Sequence, residues 1–295
     1  MRTALFKKIY EMMRTNEKLF FLTAGVGFNL IEPMCKEFPA QTMNVGIAEA
    51  NLVGVAAGLS NIGFKVICYS YTNFLAERAF EQIRNDICLH RYAPILVGTT
   101  TGFDNAGLGA THHALDDIAV LKALPHLRIY SPSSSESMET VFDEAMRSNE
   151  ASFIRMTKSN HTENKSVQKI NRFIVEDAYP VLVITHGKML QNVLKAHDAY
   201  PKFSIFAMDR IKPLDEKKLK ALMERFRSIA VIEDNFKSGL YNSIAQYAAE
   251  RRTSAKLYSI SVEELYRGEI GDAAYLEDIN GLSPKKIAAF LQSLG

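Results

Sequence analysis

Short, β-rich apolar runs separated by longer helical stretches recur along this sequence and leave it few folds to choose from. Runs at 19–22, 65–71, 94–99, 127–130 and 152–156 are separated by helical patterns near 47–61, 73–91, 115–123 and 135–148. That alternation marks parallel sheets whose crossover helices cover both faces. A second series follows, with strands at 180–185, 203–207, 229–233 and 256–259 and helices near 189–200, 216–226, 240–251 and 284–294. Between the two series, the stretch from Thr157 to Gln168 is polar, with little apolar periodicity, as a connecting segment should be. The expected fold class is α/β: two α/β domains with mostly parallel sheets, at 1–158 and 176–295, joined by a linker at 159–175. A length of 295 residues accommodates two such units.

Bulk properties exclude several classes of protein. With 47% hydrophobic and 23% charged residues, the chain is neither disordered nor fibrous. A net charge of +2, with no stripe of Lys and Arg, gives no footprint for nucleic acid. Cys35, Cys68 and Cys88 lack C-x-x-C spacing, which argues against both a zinc site and a disulfide framework and makes a reducing cytoplasm the expected compartment. The first fourteen residues mix charges with apolar residues at helical spacing, so neither a signal peptide nor a membrane span is expected there.

The stretch from Asn44 to Leu59 is the most informative. From Ala50 onward it is apolar nearly all round, the pattern of a helix buried within the protein or at a subunit interface. Gly54 and Gly58 each cost about 1 kcal/mol of helix propensity and lie four residues apart on one face, a cost that close backbone packing would explain. Glu49 stands at the head of this helix, where the dipole favours a carboxylate. A charge buried there needs a partner or must hold its proton. By spacing alone, Glu49 reads equally as a first-turn acid at the rim of a core. The segment from Thr99 to His113, rich in Gly and Thr, reads as a loop leaving the C-terminal end of a strand. Such loops either line ligand crevices or simply connect elements, so His112 is a site residue or a structural imidazole.

Gly46-Ile47-Ala48-Glu49 with its small-residue helix resembles the pyrimidine-binding motif of transketolases and deoxyxylulose-phosphate synthases. The aromatic-rich stretch from Phe74 to Arg84 resembles the helix that follows in that family, and Ala110 to Asp117, Leu124-Pro125 and Tyr130-Ser131-Pro132-Ser133 come in the same order. In the second half, Met208 to Asp215, Ile232-Glu233-Asp234 and Ser238-Gly239-Leu240 resemble the family's C-terminal domain, so the likeness runs from about residue 18 to 290.

The resemblance implies the C-terminal subunit of a split transketolase. It implies that Glu49 hydrogen-bonds N1′ of the aminopyrimidine of thiamine diphosphate and so activates the cofactor, which is acid–base catalysis with the cofactor as base. His112 would face the thiazolium and the substrate. The ring that stacks on the pyrimidine in many relatives falls on Leu75, and the neighbouring Phe74 or Arg78 is able to take over. Other contacts depart from the pattern. An aspartate near the thiazolium falls on Val26, and the donor-sugar histidine, acid and arginine fall on Thr100, Leu108 and Lys158. Arg155 is placed either to bind a phosphate or to form a plain ion pair. The implied reaction is transfer of a two-carbon ketol unit from a ketose donor to an aldose acceptor, without the familiar pentose-phosphate grip.

One half of such a cofactor site is absent. The family binds the diphosphate through a divalent cation, Mg2+ or another, held by G-D-G and an asparagine about thirty residues on. Gly271-Asp272-Ala273 is the only near match, and it reads as a loop. The expectation is a partner chain carrying the diphosphate and metal domain, an α2β2 heterotetramer, and no activity from this chain alone. Two other readings are the β subunit of a 2-oxoacid dehydrogenase and a non-catalytic scaffolding subunit.

Overall fold

The computed structural model describes residues 1–163, 166–266 and 268–294; residues 164 and 165 of the expected linker lie outside the described residues. In chain order the strands are β1 (Leu19–Thr23), β2 (Thr42–Asn44), β3 (Lys65–Tyr71), β4 (Ile95–Thr99), β5 (Leu127–Tyr130) and β6 (Ala151–Met156). They continue as β7 (Arg172–Val175), β8 (Val181–Thr185), β9 (Ser204–Ala207), β10 (Arg210–Lys212), β11 (Ser228–Phe236) and β12 (Lys256–Val262). Among the described residues, seven strands form one sheet in the order β10-β5-β6-β4-β3-β1-β2, and five form another in the order β12-β11-β8-β9-β7. Pairing is parallel throughout, except β10 on β5 and β7 on β9.

The central strands are apolar on both faces because helices cover both. In the first sheet, Leu22, Cys68 and Leu96 stand in register and enter the cluster built with Leu52, Val53, Ala56 and Leu75. One residue earlier, Phe21, Ile67 and Ile95 align and enter the opposite cluster, with Leu5, Ile9, Met138 and Phe142 of the helices Arg2–Met13 and Ser135–Arg147. The period of two thus sorts successive residues to opposite faces. Ser134 and Asp215 start their helices by accepting the backbone N–H groups of Ser137 and Lys218.

Three features differ from the sequence expectation. Arg172–Val175, in the segment expected to be linker, is an edge strand of the second sheet. Arg210–Lys212 leaves the second half of the chain to pair with β5, Arg210 opposite Tyr130, so the two halves are interlocked rather than tethered. The single helix expected near 73–91 is instead two π-helical turns, Phe74–Arg78 and Ile83–Cys88, on either side of one α-helical turn. Inserted π turns re-aim side chains and are frequent at functional sites.

Candidate active site

The C-terminal ends of β1, β3 and β4 open on the same edge of the first sheet, where parallel α/β folds bind ligands. Glu49 begins the helix Glu49–Asn61 just beyond β2 and is 1% exposed. Its Oε1 accepts from Ser70 Oγ of β3 at 2.8 Å, and its Oε2 from Arg78 Nη1 at 2.6 Å. The partner that a buried charge requires is therefore an arginine brought in by the first π turn. That guanidinium also lies over the Phe74 ring, 4.6 Å from its centroid.

His112 joins the same cluster. Its ring meets Phe74 edge-on at 5.1 Å and Tyr71 at 6.3 Å, and Nδ1 is 3.0 Å from Thr111 Oγ1. The Thr111 carbonyl accepts from Asn73 Nδ2 at 2.8 Å, which ties the loop to the start of the π turn. One acid, one guanidinium, two aromatic rings and an imidazole thus share one corner, offering proton exchange at Glu49 and a stacking face at Phe74. Beside them, burial, and then the neighbouring Asp116 carboxylate, push the Glu77 carboxyl up to about 8.

Other expected site residues go elsewhere. Leu75 is fully buried in the core with Leu52 and Val53, and has no face open to a ligand. Arg155 is also fully buried: Nε and Nη2 donate to Asp117 at 2.6 and 3.3 Å, and Nη1 to Ser131 Oγ at 3.2 Å, which makes the ion-pair reading of this residue the one the geometry shows. Thr100 adopts a left-handed conformation at φ +66 and accepts from Asn105 Nδ2 at 3.2 Å, so its hydroxyl faces the loop base. His113 is buried, with Nε2 3.3 Å from the Ala106 carbonyl, and burial lowers its pKa. Sequence reasoning missed Ser70 and Tyr71, and it treated Arg78 only as a stacking group. A buried carboxylate with a cation within reach along the next element is the signal that finds Arg78.

The helix Glu49–Asn61 is buried on one side only, through Leu52, Val53 and Ala56. Gly54 and Gly58 are exposed, and a Cβ added at either meets nothing within 4 Å, so packing inside this chain does not account for them. Phe28, Met43 and Ile47 are exposed as well, at 75%, 46% and 80%. Among the described residues no three His, Cys, Asp or Glu converge to hold a metal. Asp272 lies in a loop, as expected, at its last position before the helix Ala273–Ile279, which it caps by accepting from Tyr275 N at 2.8 Å. A surface groove of about 640 Å³ lies between the helices Glu216–Arg225 and Leu240–Arg251, and none of the clustered residues lines it.

A buried acid paired with an arginine, in aromatic company, thus stands at the ligand-binding edge of a parallel α/β sheet. Residues 1–163 match the family described as "Transketolase, pyrimidine binding domain" and residues 161–287 match "Transketolase, C-terminal domain". The chain belongs to the transketolase family, whose members depend on thiamine diphosphate. It is 27% identical to the putative transketolase C-terminal section of Methanocaldococcus jannaschii, covering 98% of this chain and 94% of that protein. It is 28% identical to the 1-deoxy-D-xylulose-5-phosphate synthase of Clostridium acetobutylicum, over 82% of this chain, and spans 40% of that relative's length. A solved structure described as a split gene transketolase, inactive beta4 tetramer, superposes with a TM-score of 0.87 at 26% identity, covering 99% of this chain and 97% of the other.

Proposed function

We propose that this chain is the cofactor-activating subunit of a thiamine diphosphate-dependent transketolase that moves a two-carbon ketol unit from a ketose donor to an aldose acceptor. The observation that carries this reading is Glu49, held in the interior with one oxygen on Ser70 and the other on Arg78. The residues fit the pyrimidine end of the cofactor and not its metal end. Glu49 would hold the pyrimidine nitrogen, Phe74 and Arg78 would offer a face to the ring, and His112 would orient donor hydroxyls, with Thr100 shaping the loop base beside it. When bound, the cofactor supplies an acidic thiazolium carbon and an electron sink. The protein's own share is to offer Glu49 as the hydrogen-bond partner of the pyrimidine nitrogen, to position substrate and to exclude water.

The diphosphate and its divalent cation would be held by a partner chain in an α2β2 assembly. Supporting this are the open glycine face of Glu49–Asn61, the exposed Phe28 and, just before Glu49, the exposed Met43 and Ile47, and the self-association stated for the split-gene relative. The compartment proposed is the cytoplasm, supported by three free cysteines, and among the described residues no helix is long and apolar enough to cross a membrane. Replacing Glu49 with Gln in the complex reconstituted with its partner should abolish ketose cleavage and leave assembly intact. Turnover at the unsubstituted rate would refute the role given to this carboxylate.

A further inference from the structure

We infer that the second domain sets the position of the loop carrying His112, with Asn235 as the positioning residue; the functional weight of this clamp rests on the role proposed above for His112. The loop is closed at its base by reciprocal backbone hydrogen bonds between Gly102 and Ala114, each 3.1 Å. The end of β11 reaches across from the second sheet and grips that base from one side. Asn235 Nδ2 donates to the Leu115 carbonyl at 3.1 Å and to Asp117 Oδ1 at 2.9 Å, and the Phe236 amide donates to the same Leu115 carbonyl at 2.8 Å. Asp117 is in turn fixed by Arg155.

Asp234, next in the chain, bears on the other strand of the base. A Cβ built on Gly102 would fall 2.2 Å from Asp234 Oδ2, and Gly102 has a φ of +52, so this contact excludes any side chain there. Asp104 pins the next part of the loop, accepting from Thr101 N, Thr157 Oγ1 and Lys158 N at 3.1, 2.9 and 2.8 Å, while Lys188 Nζ of the second domain lies 3.7 Å away. A tether alone would be met by the Phe236 amide. The Asn235 amide adds direction, because two acceptors two residues apart fix the angle at which the chain leaves the loop. His112, only two residues before Ala114 at the base, inherits that angle, held by Thr111 and its contact with Phe74.

The test uses Asn235→Ala in the full chain and in the complex with its partner. In the full chain, amide hydrogen exchange across 103–113 should rise about tenfold or more, the change expected when a buried hydrogen bond is removed from a local opening equilibrium. Exchange in β3 and β4 should stay at its original rate, and the His112 ring protons should lose the shifts imposed by Phe74 and Tyr71. In the complex, kcat should fall, and a His112→Ala background should absorb that fall. Unchanged exchange and unchanged His112 shifts would overturn the clamp whatever the activity. Full turnover by His112→Ala would instead remove the role of His112 and leave the clamp to be judged by exchange. Should Asn235→Ala fail to fold, Gly102→Ala should loosen the same loop, because its Cβ would run into Asp234 and its φ of +52 strains any side chain; unchanged exchange across 103–113 in Gly102→Ala would also overturn the clamp.

Discussion

The Glu49 carboxylate lies 2.6 Å from the Arg78 guanidinium, and only one of the two is buried: the side chains are 1% and 47% exposed. The pair is therefore asymmetric in what each partner loses when the other is removed. Arg78→Ala leaves a charge in the interior with Ser70 as its remaining side-chain donor, which should cost about 1–3 kcal/mol. Glu49→Gln leaves Arg78 free to turn into water and should cost less than half as much. Urea unfolding of the two variants checks the order, and a larger loss for Glu49→Gln would mean that the ion pair is not what supports this corner.

The Arg155 and Asp117 side chains are both fully buried, and their bond joins β6 to the start of the helix Asp117–Leu121. Breaking such a pair from one side strands the other charge. Arg155→Met alone should cost about 3–5 kcal/mol, since it strands Asp117 and also Asp234, 3.8 Å from Nη1, whereas Arg155→Met with Asp117→Asn, which removes one of the two charges and keeps an acceptor for Asn235, should cost less. Guanidinium unfolding measures both. Equal losses would show that desolvated charge is not the origin of the effect.

Glu77 should give stability a dependence on pH. Its folded carboxyl, raised by burial and then by Asp116, keeps its proton to about pH 8, while the ordinary value is 4.5. Between those values the folded chain binds more protons than the unfolded chain, so stability falls as pH rises from about 4.5 to about 8 and then levels off. Water around this partly exposed group reduces the amplitude. Glu77→Gln should flatten that slope and gain most on the parent near pH 8. Melting temperatures from pH 5 to 9 read this directly, and parallel curves for the two proteins would refute it.

The central strands are legible in the sequence because burial on both faces writes them as continuous apolar runs; Lys65–Tyr71 and Leu127–Tyr130 stand where the runs stand. By contrast β2, β7 and β10 are three or four residues long, too short to show a period, and β10 owes its place to β5 in the other half of the chain. Spacing leaves Glu49 either buried or at the rim of a core. Its pairing is not readable either, because Arg78 arrives through a π turn and helical counting assumes an α-helix. For Arg155, a strand-end arginine looks the same in sequence whether it meets a phosphate or an aspartate. Only the packing of the helix Asp117–Leu121 against β6 decides it.

The open face of Glu49–Asn61 gives a prediction in which stability and assembly move in opposite directions. Gly54 and Gly58 lie within a helix, are exposed, and have space for a Cβ on every side. Alanine at either position should therefore stabilise the chain by about 0.5–1 kcal/mol, since it relieves the entropy cost of glycine and meets no atom. If this face packs closely against a second subunit, the same methyl group enters a contact sized for hydrogen, and Gly54→Ala should weaken association. Overpacking of this kind costs about 1–3 kcal/mol at a well-packed contact. Thermal unfolding of the dilute chain reports the first effect, and sedimentation across a concentration series reports the second. A rise in stability with undiminished association would show that the glycines do not serve an interface, and the proposed assembly would then have to use another face.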